Sequence, residues 1–517
     1  MTGGMMKMNR IAILRLLLAF CLFAAPRFVS AQTVSVQSGP WSDPATWGGL
    51  LPSASDVAIV AAGHTVTLDS VALTRNLTIN GTLYVSRTVA TELHIGCNLI
   101  VAAGGALDMG TPADPVTVTH TTVFGLSQAE ALPFVGGGFE ATDCGLWVFG
   151  RWDAAGRPIR RAWGKLAQDV PAGTTLVTVE GDVSDWPVGG HIVLTQTGDR
   201  AVMETEVLMT AIVDTSALVL ATPTRYAHSG TGDIRGEVGL LTHSVTIRTE
   251  LEGLTNINDV RQRLFAHTAY MPGSSGNLDD MALVRMGHYG TLGRYAIHHH
   301  RMIEGSRGQY VRGVSCYESG LRCTNIHESN GVLIEDTVSV FGQGVQHFVE
   351  RDFGPPEAPT SRQTDHVHVH NLVASQAPHA GRAPGALTNF GANETGREAS
   401  GFWPGTSQHE ALLGNVQAGP SATGVGTSGY RIIQDSVRPH LVDGGILPRV
   451  FAANEVRANR EGFGFRAHPE PTTDFLADTV GLRSSGTDVG IFHGVYEYAV
   501  KHYRAQLLNN RVGLRQT

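Results

Sequence analysis

Charge is scarce in this sequence: Asp, Glu, Lys and Arg make up 16% of its 517 residues, against roughly 25% in an average globular protein. With 42% hydrophobic residues the chain can bury a large core, so a disordered polyelectrolyte is excluded. Aromatics reach only 7%, and the 62 glycines lack the three-residue period of collagen. This is the composition of a chain rich in turns and poor in exposed helix. Long apolar runs are also missing. The run Ile11 to Ala25 is broken by Arg15 and falls short of the roughly 20 residues a spanning helix needs. Lys7 and Arg10 precede it, and Val29 and Ala31 put small residues where a signal peptidase requires them. Residues 1–31 therefore read as a secretion signal. The expected product is a soluble, exported monomer, secreted, extracellular or periplasmic, with no integral membrane span.

Basic residues are too few for a nucleic-acid partner. Removing residues 1–31 takes away Lys7, Arg10, Arg15 and Arg27 and no acid, moving the net charge from −8 to −12. A polyanionic substrate would need a local basic groove or a bridging cation to offset that field. Of five cysteines, Cys21 leaves with the signal, and Cys97, Cys144, Cys316 and Cys323 remain. An even number in an oxidising compartment allows two disulfides. Pairing Cys97 with Cys144 and Cys316 with Cys323 is the simplest of three connectivities, and spacing does not choose among them. No CxxC pair is present, which speaks against a zinc site.

What the chain does have is short strands between glycines. Over residues 41–164, runs such as Val57 to Val60, His64 to Leu68, Thr82 to Val85 and Leu99 to Val101 predict an all-β unit, coiled or sandwich-like. Residues 165–250 carry longer strands and predict a compact β connector. Beyond 251 one theme recurs: a short apolar strand, then Asn or Asp, then a small apolar residue. Leu333 to Val338, Leu412 to Val416 and Phe451 to Val456 are examples. Stacked coils with inward aliphatics and laddered Asn residues account for it, so residues 251–517 predict a right-handed parallel β-helix, pectate-lyase-like, with an inserted loop at 353–397. A β-sandwich would show more hairpin dipeptides than Asn80-Gly81 and Asn330-Gly331.

Several blocks carry a family resemblance. Trp41-Ser42-Asp43-Pro44-Ala45-Thr46-Trp47-Gly48, Gly63-His64-Thr65-Val66-Thr67-Leu68-Asp69 and Gly104-Gly105-Ala106-Leu107-Asp108-Met109-Gly110 resemble the eight-glycine (G-eight, or G8) domain of fibrocystin. The same domain occurs in the family of the cell-migration-inducing hyaluronan-binding protein and transmembrane protein 2. Gly293-Arg294-Tyr295-Ala296-Ile297-His298-His299-His300, Arg322-Cys323-Thr324-Asn325-Ile326-His327 and Ala399-Ser400-Gly401-Phe402-Trp403 resemble the parallel β-helix of that family and its bacterial-type members. The resemblance covers about Trp41 to Gly419. It implies an extracellular protein that binds or depolymerises hyaluronan, with calcium or another divalent metal as cofactor. Two departures stand out: Val345 replaces a family histidine, and Arg351 replaces a family aspartate.

The chemistry-bearing residues are then His298 and His300, two apart on a strand and so about 7 Å apart on one face. His327 and Glu350 follow on the next two coils. These four are the expected catalytic set, with His298 and His300 also able to bind a metal; an external histidine ladder is the alternative. Arg294, Tyr295 and Trp403 are expected to contact substrate, Arg294 as a partner for a uronate carboxylate. His366-Val367-His368-Val369-His370 reads as a further alternating face, solvated or metal-binding. The expected partner is an acidic, hyaluronan-like polysaccharide, attacked by a lyase or a hydrolase or simply bound. Glu350 and Asp352 are the carboxylates available to a hydrolase.

Overall fold

The computed structural model describes residues 32–127, 144–198, 203–258, 262–289, 291, 293–350, 365–375, 400–403, 411–419, 428–433, 450–459, 461–466, 479–493 and 502–516. The expected signal lies outside them. Among the described residues the regular elements are β-strands and two short 3-10 turns. Successive strands visit three sheets in rotation, each pairing in parallel with the strand one coil earlier. The sheets hold 14, 13 and 12 described strands. This is a parallel β-helix. Short strands with period-two burial build it: Ala58, Val60, Leu77, Ile79, Leu99 and Val101 all point inward, and their neighbours face out.

The segment with the G-eight resemblance forms the first coils of this same stack. Gly145–Val148 pairs residue for residue with His267–Tyr270 of the later coils. Between the second-sheet strand Arg151–Ala155 and the third-sheet strand Val245–Glu252 the chain leaves the stack and returns. Residues 245–250, expected in the connector, therefore belong to the solenoid: Val245–Glu252 lies between His120–Ser127 and Met281–Val284. The excursion itself is a six-stranded antiparallel sheet. Its two ends are joined by Ala167 N–H to Thr178 O (2.9 Å) and Glu180 N–H to Lys165 O (2.8 Å), which closes it into a small barrel.

The barrel packs on the outer face of the third sheet, where Trp163, Val193 and Leu241 meet Val338, Leu372 and Val416. A buried ion cluster reinforces the contact. Lys165 reaches Glu237 (3.0 Å) and Glu455 (2.7 Å), and Arg457 bonds both carboxylates from the solenoid side.

From Asp280 onward each coil turns from the second to the third sheet through one residue in the left-handed region. Asp280, Gly313, Asp336, His370, Gly414, Ala453, Gly481 and Arg504 occupy it in successive coils, with φ between 48° and 66°. Just after this corner runs the expected asparagine ladder. Asn371 Nδ2 donates to Asn415 Oδ1 (2.9 Å) and Asn415 Nδ2 to Asn454 Oδ1 (3.1 Å), and each side chain also donates to a strand carbonyl. Inside, a second ladder of rings forms: His347, Phe402, Tyr430 and Phe463 stack at 5.0, 4.8 and 5.0 Å, close to the rung spacing.

Two expectations change here. The insertion expected at 353–397 contains part of a coil, because Val367–Val369 and Leu372–Ala374 pair in parallel above and below. The run from His366 to His370 is not one solvated or metal-binding face. His366 and His368 are buried, while the left-handed corner turns the His370 ring out against Trp163, 4.1 Å away. The disulfides are Cys97–Cys144 and Cys316–Cys323.

Burial holds His120, His243 and His366 at about 3 and His299 at about 4. The unfolded chain titrates them near 6.5, so below that pH it binds more protons than the fold does. Stability contributed above 6.5 is lost as pH falls, at up to about 1.4 kcal/mol per pH unit for each histidine. Asp280, raised to about 8 chiefly by burial, works in the opposite sense, one group against four. The melting temperature should fall steadily between about pH 6.5 and pH 4.5; a flat profile by circular dichroism would contradict this. Asn415→Ala should cost on the order of 2–4 kcal/mol in a urea titration, because four side-chain hydrogen bonds are lost.

Candidate functional site

The strand Ile297–Ile303 lies in the first sheet directly beneath Thr324–Ser329, followed by His347–Glu350 and Ser400–Trp403. Alternation sends Ile297 and His299 inward, His299 stacking on Tyr270 at 5.2 Å. It sends His298 and His300 outward. The register then fixes two columns on the outer face. One is His298, Asn325, Phe348 and Trp403; the other is His300, His327 and Glu350.

The three imidazoles meet. Ring centroids lie 5.0 Å apart for His298 and His300, 5.1 Å for His300 and His327, and 6.1 Å for His298 and His327. His298 is 2% exposed, and its Nδ1 lies 3.1 Å from the carbonyl oxygen of Gly293. A carbonyl only accepts, so Nδ1 carries the proton and Nε2 keeps its lone pair. That Nε2 is buried and has no hydrogen-bond partner among the described residues. Burial, then His300 and His327, hold His298 well below its ordinary value; burial and His327 hold His300 at about 4. Both rings are neutral bases at neutral pH.

Glu350 is anchored beside them. Its Oε2 accepts from Arg322 Nη1 (3.1 Å), Tyr295 Oη (3.1 Å) and Asn325 Nδ2 (3.0 Å). Burial would raise this carboxyl, but Arg322 opposes it and the two other donors help, so it stays below the usual range and ionised. The Arg322 guanidinium is itself buried between the Tyr295 ring (4.7 Å) and the Phe348 ring (3.9 Å).

Of the expected substrate contacts, Tyr295 requires correction: it is fully buried and commits its hydroxyl to Glu350, so no sugar can stack on it. Arg294 lies over the Trp147 indole at 4.8 Å, at the edge of the histidine face. Trp403 packs edge-on against Phe348 (4.8 Å) in a small apolar cluster with Val345. Asp352 and Arg351 lie outside the described residues. Arg322, Asn325 and Phe348 were not singled out from the sequence; the register that stacks them on His298 was the missing information.

Two family models match this chain: the G8 domain over residues 46–167 and the CEMIP beta-helix over residues 264–431. The chain thus carries a G8 match followed by a CEMIP β-helix match. Among its relatives, mouse fibrocystin-L is 26% identical over 358 residues, covering 60% of this chain and 8% of that protein. A G8 domain-containing protein of Dictyostelium discoideum is 24% identical over 404 residues, covering 72% of this chain and 35% of that one. The chain thus spans a small part of the curated relatives it matches. The periplasmic alginate epimerase AlgG aligns over 88% of this chain and 76% of its own at 10% identity, with a TM-score of 0.23, too loose an overlap to bear on function.

The donors around His298 and His300 do not suit calcium, which takes six to eight oxygen ligands. The nearest carboxylate, Glu350, already has three donors on one oxygen. Imidazoles suit a softer metal such as zinc, but among the described residues no three His, Cys, Asp or Glu side chains converge as a metal-binding group.

Arg322→Met should destabilise the protein by about 3–5 kcal/mol, because the Glu350 carboxylate would lose the buried cation that pairs with it. Adding Glu350→Gln should recover much of that loss in chemical denaturation. A double variant no more stable than the single would show that the pair is not coupled.

Proposed function

We propose that this chain is an exported polysaccharide-active protein that cleaves a hyaluronan-like acidic polymer laid across His298, His300, His327 and Glu350. The observation that carries this reading is the lone pair of His298 Nε2, oriented by the Gly293 carbonyl and without a hydrogen-bond partner among the described residues. Two disulfides fit an oxidising compartment.

A uronic-acid polymer offers an acidic proton at C5 once its carboxylate is neutralised, and Arg294 stands at the edge of the face for that role. A neutral imidazole of the face takes the C5 proton. The electron pair forms the C4=C5 double bond, and the C4–O bond breaks; the departing oxygen takes a proton from water. A base held neutral by burial is always ready for this step, and carboxylate neutralisation offsets its weak basicity. Glu350 keeps Tyr295, Asn325 and Arg322 in place beside the rings. A hydrolase would need a protonated carboxylic acid, and Glu350 is held ionised.

A binding module without catalysis is the second reading, favoured by Val345, which puts an apolar side chain where the family carries a histidine and packs it against Phe348 and Trp403.

High-molecular-weight hyaluronan, pectin and alginate, incubated with the protein and resolved by size exclusion, should shorten and gain the ultraviolet absorbance of a conjugated double bond. His298→Ala should abolish both changes. Shortening without new absorbance would replace the lyase by a hydrolase, and co-elution without shortening would leave the binding module.

A further inference from the structure

A cavity of about 500 Å³ opens where the chain leaves the second sheet for the barrel. The left-handed corner residues Asp280, Gly313, Asp336 and His370 line one side, and Pro158 and Ile159 of the departing segment line the other. Nothing proposed for the histidine face uses it.

Most of its polar groups are committed. Asp336 accepts the Ala162 N–H (2.6 Å) and pairs with His370 Nδ1 (2.7 Å). Asp279 is held by Arg312 through Nη2 (2.6 Å) and Nε (3.2 Å). Asp280 differs. It is 9% exposed, and its Oδ2 accepts only the Ile159 N–H at 3.2 Å. Its Oδ1 has no hydrogen-bond partner among the described residues and lies where a side chain at position 313 would collide with it, so glycine there keeps this oxygen clear. Burial first, then Asp279 and Asp336, push this carboxyl up to about 8, so at neutral pH it holds a proton.

A polar atom that faces a cavity without a protein partner is open to a hydrogen bond from whatever fills that cavity, water or a ligand. The ligand class follows from the lining. No three side chains here converge as a metal-binding group. Arg160, Arg161 and Arg312 line the cavity against Asp279, Glu335 and Asp336, so the charges balance and favour neither an anion nor a cation. A protonated carboxyl gives and takes a hydrogen bond at once, which matches a hydroxyl group. The volume lies within the usual range for small-ligand pockets and suits one or two sugar rings.

We propose that this cavity binds a neutral, hydroxyl-rich ligand, one or two uncharged sugar units, with the Asp280 carboxyl as donor and acceptor and Arg312 at the rim as a further donor. It is a site separate from the histidine face and does not depend on the function assigned there.

The test is calorimetric titration of the whole protein with glucose, galactose, mannose, N-acetylglucosamine and their disaccharides, with glucuronate and glucosamine as charged controls. At least one neutral sugar should bind, and glucuronate should not. Asp280→Gly, which suits a φ of 48°, should weaken binding about tenfold or more. Asp280→Asn, which keeps a donor and an acceptor, should stay within about threefold. His298→Ala should leave this binding unchanged even if it abolishes polymer cleavage. Silence from every neutral sugar, preference for a charged control, or full binding by a folded Asp280→Gly variant would each overturn the proposal. If Asp280→Gly fails to fold, a crystal soaked with the binding sugar decides: density in this cavity supports the assignment, and density only elsewhere overturns it.

Discussion

The parallel backbone ladder between coils is the constraint on which everything else rests. Each strand takes its register from the one beneath, and a slip of one residue would turn every side chain to the opposite face. Ile297, Ile326 and Val349 share the core, and that shared burial locks the register that stacks His300, His327 and Glu350 outside. Stability and site geometry therefore have one cause. The rings can lie about 5 Å apart because the rungs do.

Repetition solves a second problem, the cost of the corner. A left-handed residue without glycine is unfavourable, at roughly 1–2 kcal/mol, yet Asp280, Asp336 and His370 all occupy that position. The laddered Asn371, Asn415 and Asn454 side chains hold the neighbouring corners of the later coils, while Asp280 and Asp336 use their outward carboxyl groups to grip the segment leading into the barrel. The corner thus doubles as the dock for the inserted barrel, and the cavity beside Asp280 is what that dock leaves unfilled.

The histidine face combines two environments that push ionisable groups apart. Burial keeps His298 and His300 neutral, and Arg322 keeps Glu350 charged. Bases without protons beside a fixed carboxylate are suited to removing a proton rather than to donating one. The same arrangement explains why Tyr295 and Arg322 are buried: they hold Glu350 rather than meet a ligand.

Much was legible in the sequence because it depends on local pattern. Short strands, period-two burial, glycine-rich turns and recurring Asn residues are consequences of coil stacking that a linear reading can detect. His298, His300 and His327 stood out through the family resemblance, and alternation places the first two on one side of a strand. Other features depend on which residue lies above which, and here the tertiary structure decided. His366 and His368 looked like a surface face and are core, because strand parity relative to the neighbouring coils decides inside from outside. Arg322 and Asn325 joined the site only through the register, and Asp280 gained its isolation from a barrel segment more than a hundred residues earlier in the chain. Composition and periodicity determined that this chain would be a stack of β coils; the contacts between coils, and between coil and barrel, determined what each polar side chain is able to do.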